Sequence, residues 1–466
     1  MTETIKNAIS ESKFARWFAL GTVSLTMLCG YFLTDVMSPL KPLLEKELLW
    51  DSTGYGIFTS AYGWFNVFLL MLIFGGIILD KMGVRFTGMT AAVIMVVGTA
   101  IKYYAIQSTE LTAMVNIPLL GTMKLQVLIA ALGFAIFGVG VEIAGITVSK
   151  IIVKWFKGKE LALAMGLEMA TARMGTLLAM AVPVKIAKHF EDVSAPILFC
   201  LILLCIGLMM FFIYTFMDKK FDKAQKDAGL ENNDEPFSVK DIKVILSNKG
   251  FWYLALLCVL FYSAVFPFLK YAADLMVNKF GINEDYAGLI PSILPLGTLF
   301  LTPFFGNLYD RKGKGATIMI IGALIIIFVH AMFSIPFLNH WLIAVFLVIL
   351  LGIGFSLVPS AMWPSVPKII PEKQLGTAYA LIFWIQNWGL MGVPLLIGYV
   401  LDAVNPGISE KIAAGEPAVY NYTIPMILFT VFGILALLIA FLLKREDKLK
   451  GYGLQKPNIK KLEDVV

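Results

Sequence analysis

Two charged residues, Glu142 and Arg173, interrupt long apolar stretches of the sequence and could carry chemistry. Glu142 lies within GVGVEIA and Arg173 within MATARMG. A guanidinium group forms a two-pronged, charge-assisted hydrogen bond with a carboxylate, and a carboxylate in turn binds an ammonium group. Together the two side chains would bind a zwitterion, such as an amino acid or a short peptide. The alternative is a structural ion pair between two helices, and the two interpretations are compatible.

Three amides lie in apolar stretches as well: Asn66 in YGWFN, and Gln386 and Asn387 in IQNWG. An amide costs less than a charge to bury and can hydrogen-bond to a peptide group of a ligand. We therefore expect these residues to contribute to substrate binding. Hydrogen bonding between helices is the alternative.

The composition identifies the environment that positions these side chains. Of 466 residues, 59% are hydrophobic and only 15% are charged, whereas soluble proteins are about 25% charged. The basic residues lie between apolar runs and do not form a stripe interleaved with aromatics, which argues against nucleic acid as a partner. The sequence therefore predicts an all-α integral membrane protein with the lipid bilayer as its solvent.

A helix needs about 20 mostly apolar residues to cross a bilayer. Twelve segments qualify, at approximately 15–40, 54–79, 84–106, 125–152, 160–186, 195–217, 250–276, 284–309, 315–336, 341–367, 375–402 and 420–443. The predicted organisation is a cytoplasmic tail (1–14), a six-helix bundle (15–217), a cytoplasmic linker (218–249), a second six-helix bundle (250–446) and a second tail (447–466).

Lysine and arginine predict the orientation. With both termini inside, 28 of the 38 basic residues fall on the cytoplasmic side, as the positive-inside rule requires. In this frame Arg173 lies 14 residues after Lys159, and Glu142 lies 12 residues before Lys154. At about 1.5 Å per residue both side chains lie near the middle of the membrane. A charge there costs roughly 2.5 kcal/mol or more, so each needs a cavity or a partner.

A second set of charges is predicted to act in gating. Asp80 and Arg85, and their counterparts Asp310 and Arg311, lie at cytoplasmic helix ends, where charge pairs could hold one conformation and break in another. Solvated loop charges are the alternative.

Asp35 and Lys270 each lie 20 positions after the first residue of predicted helices 1 and 7, at equivalent positions of the two halves. They could form an outer gate pair, or each could extend to the outer surface. Asp274, one helical turn after Lys270, is a second candidate partner for that lysine.

The two halves share a loop motif. Gly76, Asp80, Lys81, Gly83 and Arg85 fit Gly-x-x-x-Asp-Lys/Arg-x-Gly-x-Lys/Arg, and Gly306, Asp310, Arg311 and Gly313 repeat its first part in the second half. The loops that begin at Lys159 and Lys373 also resemble each other. With the six-plus-six frame, the sequence resembles the major facilitator superfamily of transporters. The resemblance implies two six-helix bundles around a central cavity, with alternating access by rocking of one bundle against the other.

A narrower resemblance covers most of the membrane part. Stretches such as FGGIILDKMGVR, WFKGKELALAMGL and QLGTAYALIFWIQNWGL resemble the branch that includes the lysosomal dipeptide carrier of animals. In that branch a glutamate on helix 4 and an arginine on helix 5 hold the two ends of a dipeptide, and Glu142 and Arg173 match them. Glu168 departs from the branch, which carries a neutral amide at that position.

The expected function is secondary transport of a small zwitterion, most specifically dipeptides or amino acids. An organic anion exchanger, for which Arg173 alone would suffice, is one alternative, and a non-transporting membrane sensor or partner-binding protein is another. No cofactor, metal or enzymatic activity is expected, because no P-loop, paired catalytic residues or metal-ligand spacing occurs. Whether an accessory subunit exists is left open. The short tails without an obvious sorting signal favour a bacterial cytoplasmic membrane.

Overall fold

The computed structural model describes residues 12–118, 120–156, 160–227, 239–371 and 374–458. The outermost parts of both predicted tails, the centre of the predicted linker and the loop residues Lys159 and Lys373 lie outside the described residues. Within the described residues the protein is almost entirely α-helical, as the sequence predicts.

The described residues of the first half form nine helices. They are α1 (Lys13–Asp35), α2 (Lys41–Leu48), α3 (Ser52–Ser60), α4 (Trp64–Phe68), α5 (Met71–Gln107), α6 (Leu125–Phe156), α7 (Leu161–Ala181), α8 (Pro183–Phe190) and α9 (Ala195–Asp227). A short 3₁₀ turn, Ala61–Gly63, joins α3 to α4. An antiparallel hairpin of β1 (Met114–Ile117) and β2 (Gly121–Lys124) precedes α6, and it was not predicted from the sequence.

The second half forms ten helices among the described residues. They are α10 (Val239–Leu246), α11 (Lys249–Ser263), α12 (Phe266–Phe280), α13 (Glu284–Ala287), α14 (Leu289–Lys312), α15 (Gly315–Ser334), α16 (Trp341–Ile369), α17 (Leu375–Val404), α18 (Ile408–Ala413) and α19 (Thr423–Lys450). The predicted linker therefore begins inside α9 and contains α10.

Ten helical stretches of the described residues are long and apolar enough to cross a membrane, and an eleventh appears if α7 and α8 form one bent span. The twelfth span is found by dividing α5, which contains the end of the second span and the whole of the third. The 37 residues of α5 would extend about 55 Å, well beyond a hydrocarbon core of about 30 Å. Gly83 interrupts it with φ 77° and ψ 172°, so the chain turns there. Helix α3, the 3₁₀ turn, α4 and the start of α5 complete the second span, which confirms the twelve-helix arrangement.

Helix ends are fixed by local chemistry. The side chain of Ser12 accepts a hydrogen bond from the backbone N–H of Ala15 at the start of α1. Asp51 accepts one from Gly54 at the start of α3, and Asn248 accepts one from Gly250 at the start of α11. Such caps satisfy amides that the helix leaves unpaired.

Helix α1 begins and α19 ends on one side of the bundle, which we call the tail side; the opposite side is the far side. Whether the tail side is cytoplasmic stays a prediction. The two halves each contain six spans, and the residues predicted for substrate binding and gating lie on both of them. Substrate binding and gating by these residues therefore depend on how the two halves contact each other.

Candidate functional site

A central cavity of about 130 Å³ lies between the two halves. Its lining combines apolar and aromatic side chains with four residues that the sequence predicted for substrate binding or gating, Asp35, Glu142, Lys270 and Gln386. The lining residues are Tyr31, Thr34, Asp35, Thr59, Tyr62 and Glu142 from the first half, and Phe266, Pro267, Lys270, Phe383, Gln386, Leu390 and Pro394 from the second. A mostly apolar cavity with a few convergent polar groups is the usual form of a small-molecule site.

Glu142 lies on α6 and faces this cavity. Tyr62, in the 3₁₀ turn of the second span, donates a hydrogen bond from its hydroxyl to Glu142 Oε1 at 2.7 Å. The amide of Asn387 on α17 lies beside the same carboxyl group. One half thus supplies the carboxylate and its hydroxyl donor, while the other half supplies a neighbouring amide.

Arg173 on α7 does not itself line the cavity; it lies next to aromatic rings of the opposite half, of which Phe266 lines the cavity. Its guanidinium carbon is 5.9 Å from the ring centroid of Phe266 and 5.6 Å from that of Phe355. Among the ion pairs of the described residues, none joins Arg173 to Glu142. Glu142, Arg173 and Glu168 all lie close enough to Tyr31 to interact with it electrostatically. The ion pair between Glu142 and Arg173 that the sequence offered as an alternative is therefore not formed in this conformation. The guanidinium group lies instead against the rings of Phe266 and Phe355.

The three predicted amides have different surroundings. Gln386 lines the cavity and is in contact with Cys258, 3.7 Å from Sγ to Oε1. Asn387 donates to the carbonyl of Phe383 at 3.0 Å, and its Oδ1 has no hydrogen-bond partner among the described residues. Asn66 is fully buried between helices and donates to the carbonyl of Gly138 on α6 at 3.3 Å. For Asn66 the geometry is that of an interhelical hydrogen bond.

Ion pairs connect the halves on the far side. Lys270 of α12 donates to Asp35 of α1 at 2.6 Å, so these two predicted gating residues are in direct contact. Asp274 does not pair with Lys270; it pairs with Lys41 of α2 at 2.9 Å. The sequence could not show this partner, because Lys41 lies 233 positions away in the chain.

The Lys41–Asp274 pair belongs to a buried polar cluster. Lys41 also lies 3.5 Å from Glu45. Two tyrosines that precede α19 complete the cluster, since Tyr420 donates to Glu45 and Tyr422 donates to Asp274. Polar groups buried in this way are costly unless each is satisfied, and here they satisfy one another across the boundary between the halves.

Helices α3 and α17 approach closely on the same side. The backbone N–H groups of Ser52 and Thr53 both donate to the carboxylate of Asp402, at 3.2 and 2.6 Å. A Cβ atom added at Gly398 would lie 2.3 Å from the carbonyl oxygen of Ser52, so only glycine permits this contact. The far side of the central cavity is closed by these contacts.

On the tail side a crevice of about 470 Å³ separates the halves. It is lined by α5 and α6 of the first half and by α17 of the second, including Asp80, Lys150 and Tyr379. Phe383 lines both this crevice and the central cavity. The central cavity therefore lies at the inner end of a crevice that opens on the tail side.

Of the remaining predicted gating residues Asp80 lines that crevice, and the partners identified for all four are within their own half. Asp80 accepts from Lys150 at 2.8 Å, and Arg85 donates to Asp218 at 3.0 Å. In the second half, Asp310 accepts from Asn458 of the C-terminal segment at 2.7 Å. Arg311 donates to Asn307, one turn earlier, at 3.0 Å.

Sequence reasoning missed Tyr62 and the far-side cluster. Tyr62 lies one helical turn before Asn66, within the same YGWFN stretch, so helical spacing could have marked it. Lys41, Glu45 and Tyr420 carried no such signal, because they lie near the predicted span ends, where charges are ordinary.

Comparison with known proteins agrees with this architecture. The profile of the Major Facilitator Superfamily matches residues 23–392 and 268–461. The chain is 28% identical over 397 residues to the lysosomal dipeptide transporter MFSD1 of Mus musculus, covering 82% of this chain and 80% of that protein. It is 26% identical over 388 residues to the same transporter of Homo sapiens, covering 80% and 77%.

Solved structures show the same fold. A mutant of the nucleoside transporter NupG has a TM-score of 0.69 at 14% identity, covering 91% of this chain and 99% of that one. A bacterial homologue of the human lysosomal transporter Spinster gives 0.69 at 14% identity, covering 93% and 98%.

Proposed function

The chain belongs to the major facilitator superfamily, and on that premise we propose that it carries a small zwitterionic solute, a dipeptide or an amino acid, across a membrane by alternating access. The observation that carries the proposal is the pair of unlike charges beside the central cavity, Glu142 and Arg173, which do not neutralise each other. A charge inside a membrane protein is costly unless it has a partner. A ligand with an ammonium group and a carboxylate would supply both partners.

In the proposed bound state the ligand carboxylate binds Arg173 in a two-pronged geometry, and the ligand ammonium binds Glu142. Tyr62 holds the glutamate at the cavity wall by its 2.7 Å hydrogen bond. Gln386 and Asn387 are the candidate groups for hydrogen bonding to a peptide unit. The names of the curated relatives, dipeptide transporters at 26–28% identity, support the same class of solute.

Alternating access then requires the far side to open and the tail-side crevice to close. The ion pairs of Asp35 with Lys270 and of Lys41 with Asp274 would break in that step, because each joins one half to the other. Asp80, Arg85, Asp310 and Arg311 are proposed to set the balance between the two states from the tail side.

An organic anion exchanger remains the second candidate, because Arg173 alone would bind a carboxylate. Glu142 opposes it, since a second negative charge in the same cavity would repel a simple anion. Membership of the family points to a transporter rather than an enzyme. The multi-pass membrane location follows from the fold, and a bacterial cytoplasmic membrane stays a prediction.

The test is a thermal-shift screen of the purified full-length protein against dipeptides, single amino acids and dicarboxylates, followed by uptake of the best ligand into liposomes. We expect dipeptides or amino acids with both ends free to raise the melting temperature and to be taken up. Stabilisation and uptake confined to dicarboxylates would reject the zwitterion and support the anion exchanger.

A further inference from the structure

Lys102, in the part of α5 that forms the third span, is a buried lysine whose amino group has no polar partner among the described residues. Its side chain is fully buried. Its Nζ makes no hydrogen bond or ion pair with any other described residue. The ammonium group instead lies 4.7 Å from the ring centroid of Phe134 and 5.1 Å from that of Phe58. Two ring faces are a weak substitute for a counter-ion.

The position of Lys102 is fixed by close packing of α5 against α6. A Cβ atom added at Gly133 would lie 2.6 Å from the backbone nitrogen of Lys102. Because glycine permits this approach, the lysine is held beside the next residue of α6, Phe134. The backbone packing therefore places the base of the lysine side chain next to that ring.

Phe134 also faces the far-side ion pair. The Nζ of Lys270 lies 5.9 Å from the same ring centroid while it donates to Asp35 at 2.6 Å. Both members of that pair interact electrostatically with Lys102. Asp35 and Lys102 belong to the first half of the protein, whereas Lys270 belongs to the second.

Opening of the far side separates Lys270 from Asp35. The carboxylate would then lose its counter-ion at a position within the first membrane span, where an unpaired charge is costly. We propose that Lys102 replaces Lys270 as the counter-ion of Asp35 when the far side opens, and that the rings of Phe58 and Phe134 hold its ammonium group while the far side is closed. This exchange of one lysine for another rests on the proposed alternating-access cycle and makes Lys102 a positioning residue for it.

The test measures far-side opening through Ser52→Cys in a background whose four native cysteines are replaced. Ser52 is fully buried at the contact between α3 and α17, so a bulky, membrane-impermeant maleimide reacts there only when the halves separate. We expect Lys102→Met, which removes the charge and keeps the volume, to slow labelling on the order of tenfold. The matched control is Lys124→Met, which removes a far-side lysine bonded to the carbonyl of Leu48 and should leave the rate unchanged.

A double-mutant cycle separates the counter-ion role from general packing. In the Asp35→Asn background no charge needs compensation, so Lys102→Met should cause no further slowing. Equal slowing in both backgrounds, or no slowing in either, would overturn the counter-ion role. Lys102→Gln should reproduce the result of Lys102→Met and replaces it if that variant does not fold. Protection of Ser52→Cys in every variant, the parent included, would reject alternating access itself and the exchange with it.

Discussion

Lys41 of the first half and Asp274 of the second form an ion pair of 2.9 Å in which each side chain is only 2% exposed. The same short helix, α2, carries Lys46, which pairs with Glu284 of the second half while 49% exposed. Both pairs join the halves on the far side, and they differ chiefly in burial. Burial decides how much each contributes to the closed state.

The first prediction compares the two lysines by the same substitution. Lys41→Met leaves the carboxylates of Asp274 and Glu45 buried without their cation, and breaking such a pair typically costs about 3–5 kcal/mol. We expect it to favour the far-side-open state and to speed the labelling of Ser52→Cys. Lys46→Met removes an exposed pair, worth about 0–1 kcal/mol, and should change the rate little. Equal effects of the two substitutions would contradict this account.

The second prediction concerns pH and Glu45, which lies in α2, outside the membrane spans. Burial raises the pKa of the Glu45 carboxyl, and the Asp274 carboxylate adds to this while Lys41 opposes it. The hydrogen bonds that Tyr420 and Ser409 donate to the carboxyl group also oppose the rise in its pKa. In the open state Glu45 returns to water, where the pKa of glutamate is about 4.3. The closed state therefore binds the proton more tightly.

The stability that protonation of Glu45 gives the closed state is complete below its ordinary pKa and is lost as pH rises through the raised pKa. Acidification should thus slow the labelling of Ser52→Cys, and Glu45→Gln should reduce this dependence on pH. The exposed position Thr112→Cys corrects for the pH dependence of the reagent itself. Corrected labelling that becomes faster at lower pH would show that the sign is wrong.

Much of the fold was predictable because its signals are local or repeated. Twelve apolar segments and the duplicated loop at Gly76 and Gly306 required no knowledge of contacts. Glu142 and Arg173 were identifiable because a charged side chain within an apolar membrane span is costly unless it faces a cavity or a partner. The second span was predicted as one helix, whereas it consists of several short helices with Leu70 in a left-handed conformation, φ 53°. The break between α4 and α5 falls at Leu69 and Leu70, so no glycine or proline marks it in the sequence.

The rest depends on pairing across the chain, which spacing does not encode. Lys102 lies near the end of the predicted span 84–106, where a charge is ordinary, whereas the assembled helices bury it completely, with Gly133 packed against its backbone. Asp310 looked like a solvent-facing loop residue or a gate, and its partner Asn458 comes from the C-terminal segment. Such partners become evident only when the helices are assembled.

The third prediction tests the orientation. Single cysteines at Lys243 in α10 and at Glu416 before α19 lie at exposed positions on the tail side and the far side, respectively. With both termini inside, an impermeant reagent added to intact cells should label the cysteine at 416, and should reach that at 243 only after permeabilisation. Labelling of both positions from one side would reject the twelve-span topology.

The fourth prediction concerns Asp80, whose 2.8 Å pair with Lys150 lies in the tail-side crevice and not at the central cavity. Asp80→Asn should leave the ligand Kd unchanged and slow liposome uptake by up to about fivefold, the scale of a partly exposed ion pair. Glu110→Gln, an exposed far-side carboxyl group, is the matched control and should leave both quantities unchanged. Lost binding with unchanged turnover of bound ligand would contradict the gating role.

The fifth prediction examines the two charges of the central cavity by changing protein and ligand together. Glu142→Gln removes the proposed ammonium partner, and Arg173→Ala removes the proposed carboxylate partner. Loss of one charge-assisted hydrogen bond typically costs about 1.5–3 kcal/mol, which corresponds to roughly 10- to 150-fold in affinity. Thermal-shift titration with a dipeptide measures this loss directly.

Blocked ligands then assign each charge to one end of the solute. N-acetylation removes the ligand ammonium, so it should weaken binding to the wild type and matter little to Glu142→Gln. Amidation of the carboxylate should likewise matter little to Arg173→Ala. If the two residues only stabilise the bundle, both variants would be less stable and neither would show this ligand-specific pattern. If the solute is a simple anion, Glu142→Gln should bind it as well as the wild type or better, because a repelling charge has been removed. That outcome would reject the zwitterion and leave the transporter fold unaffected.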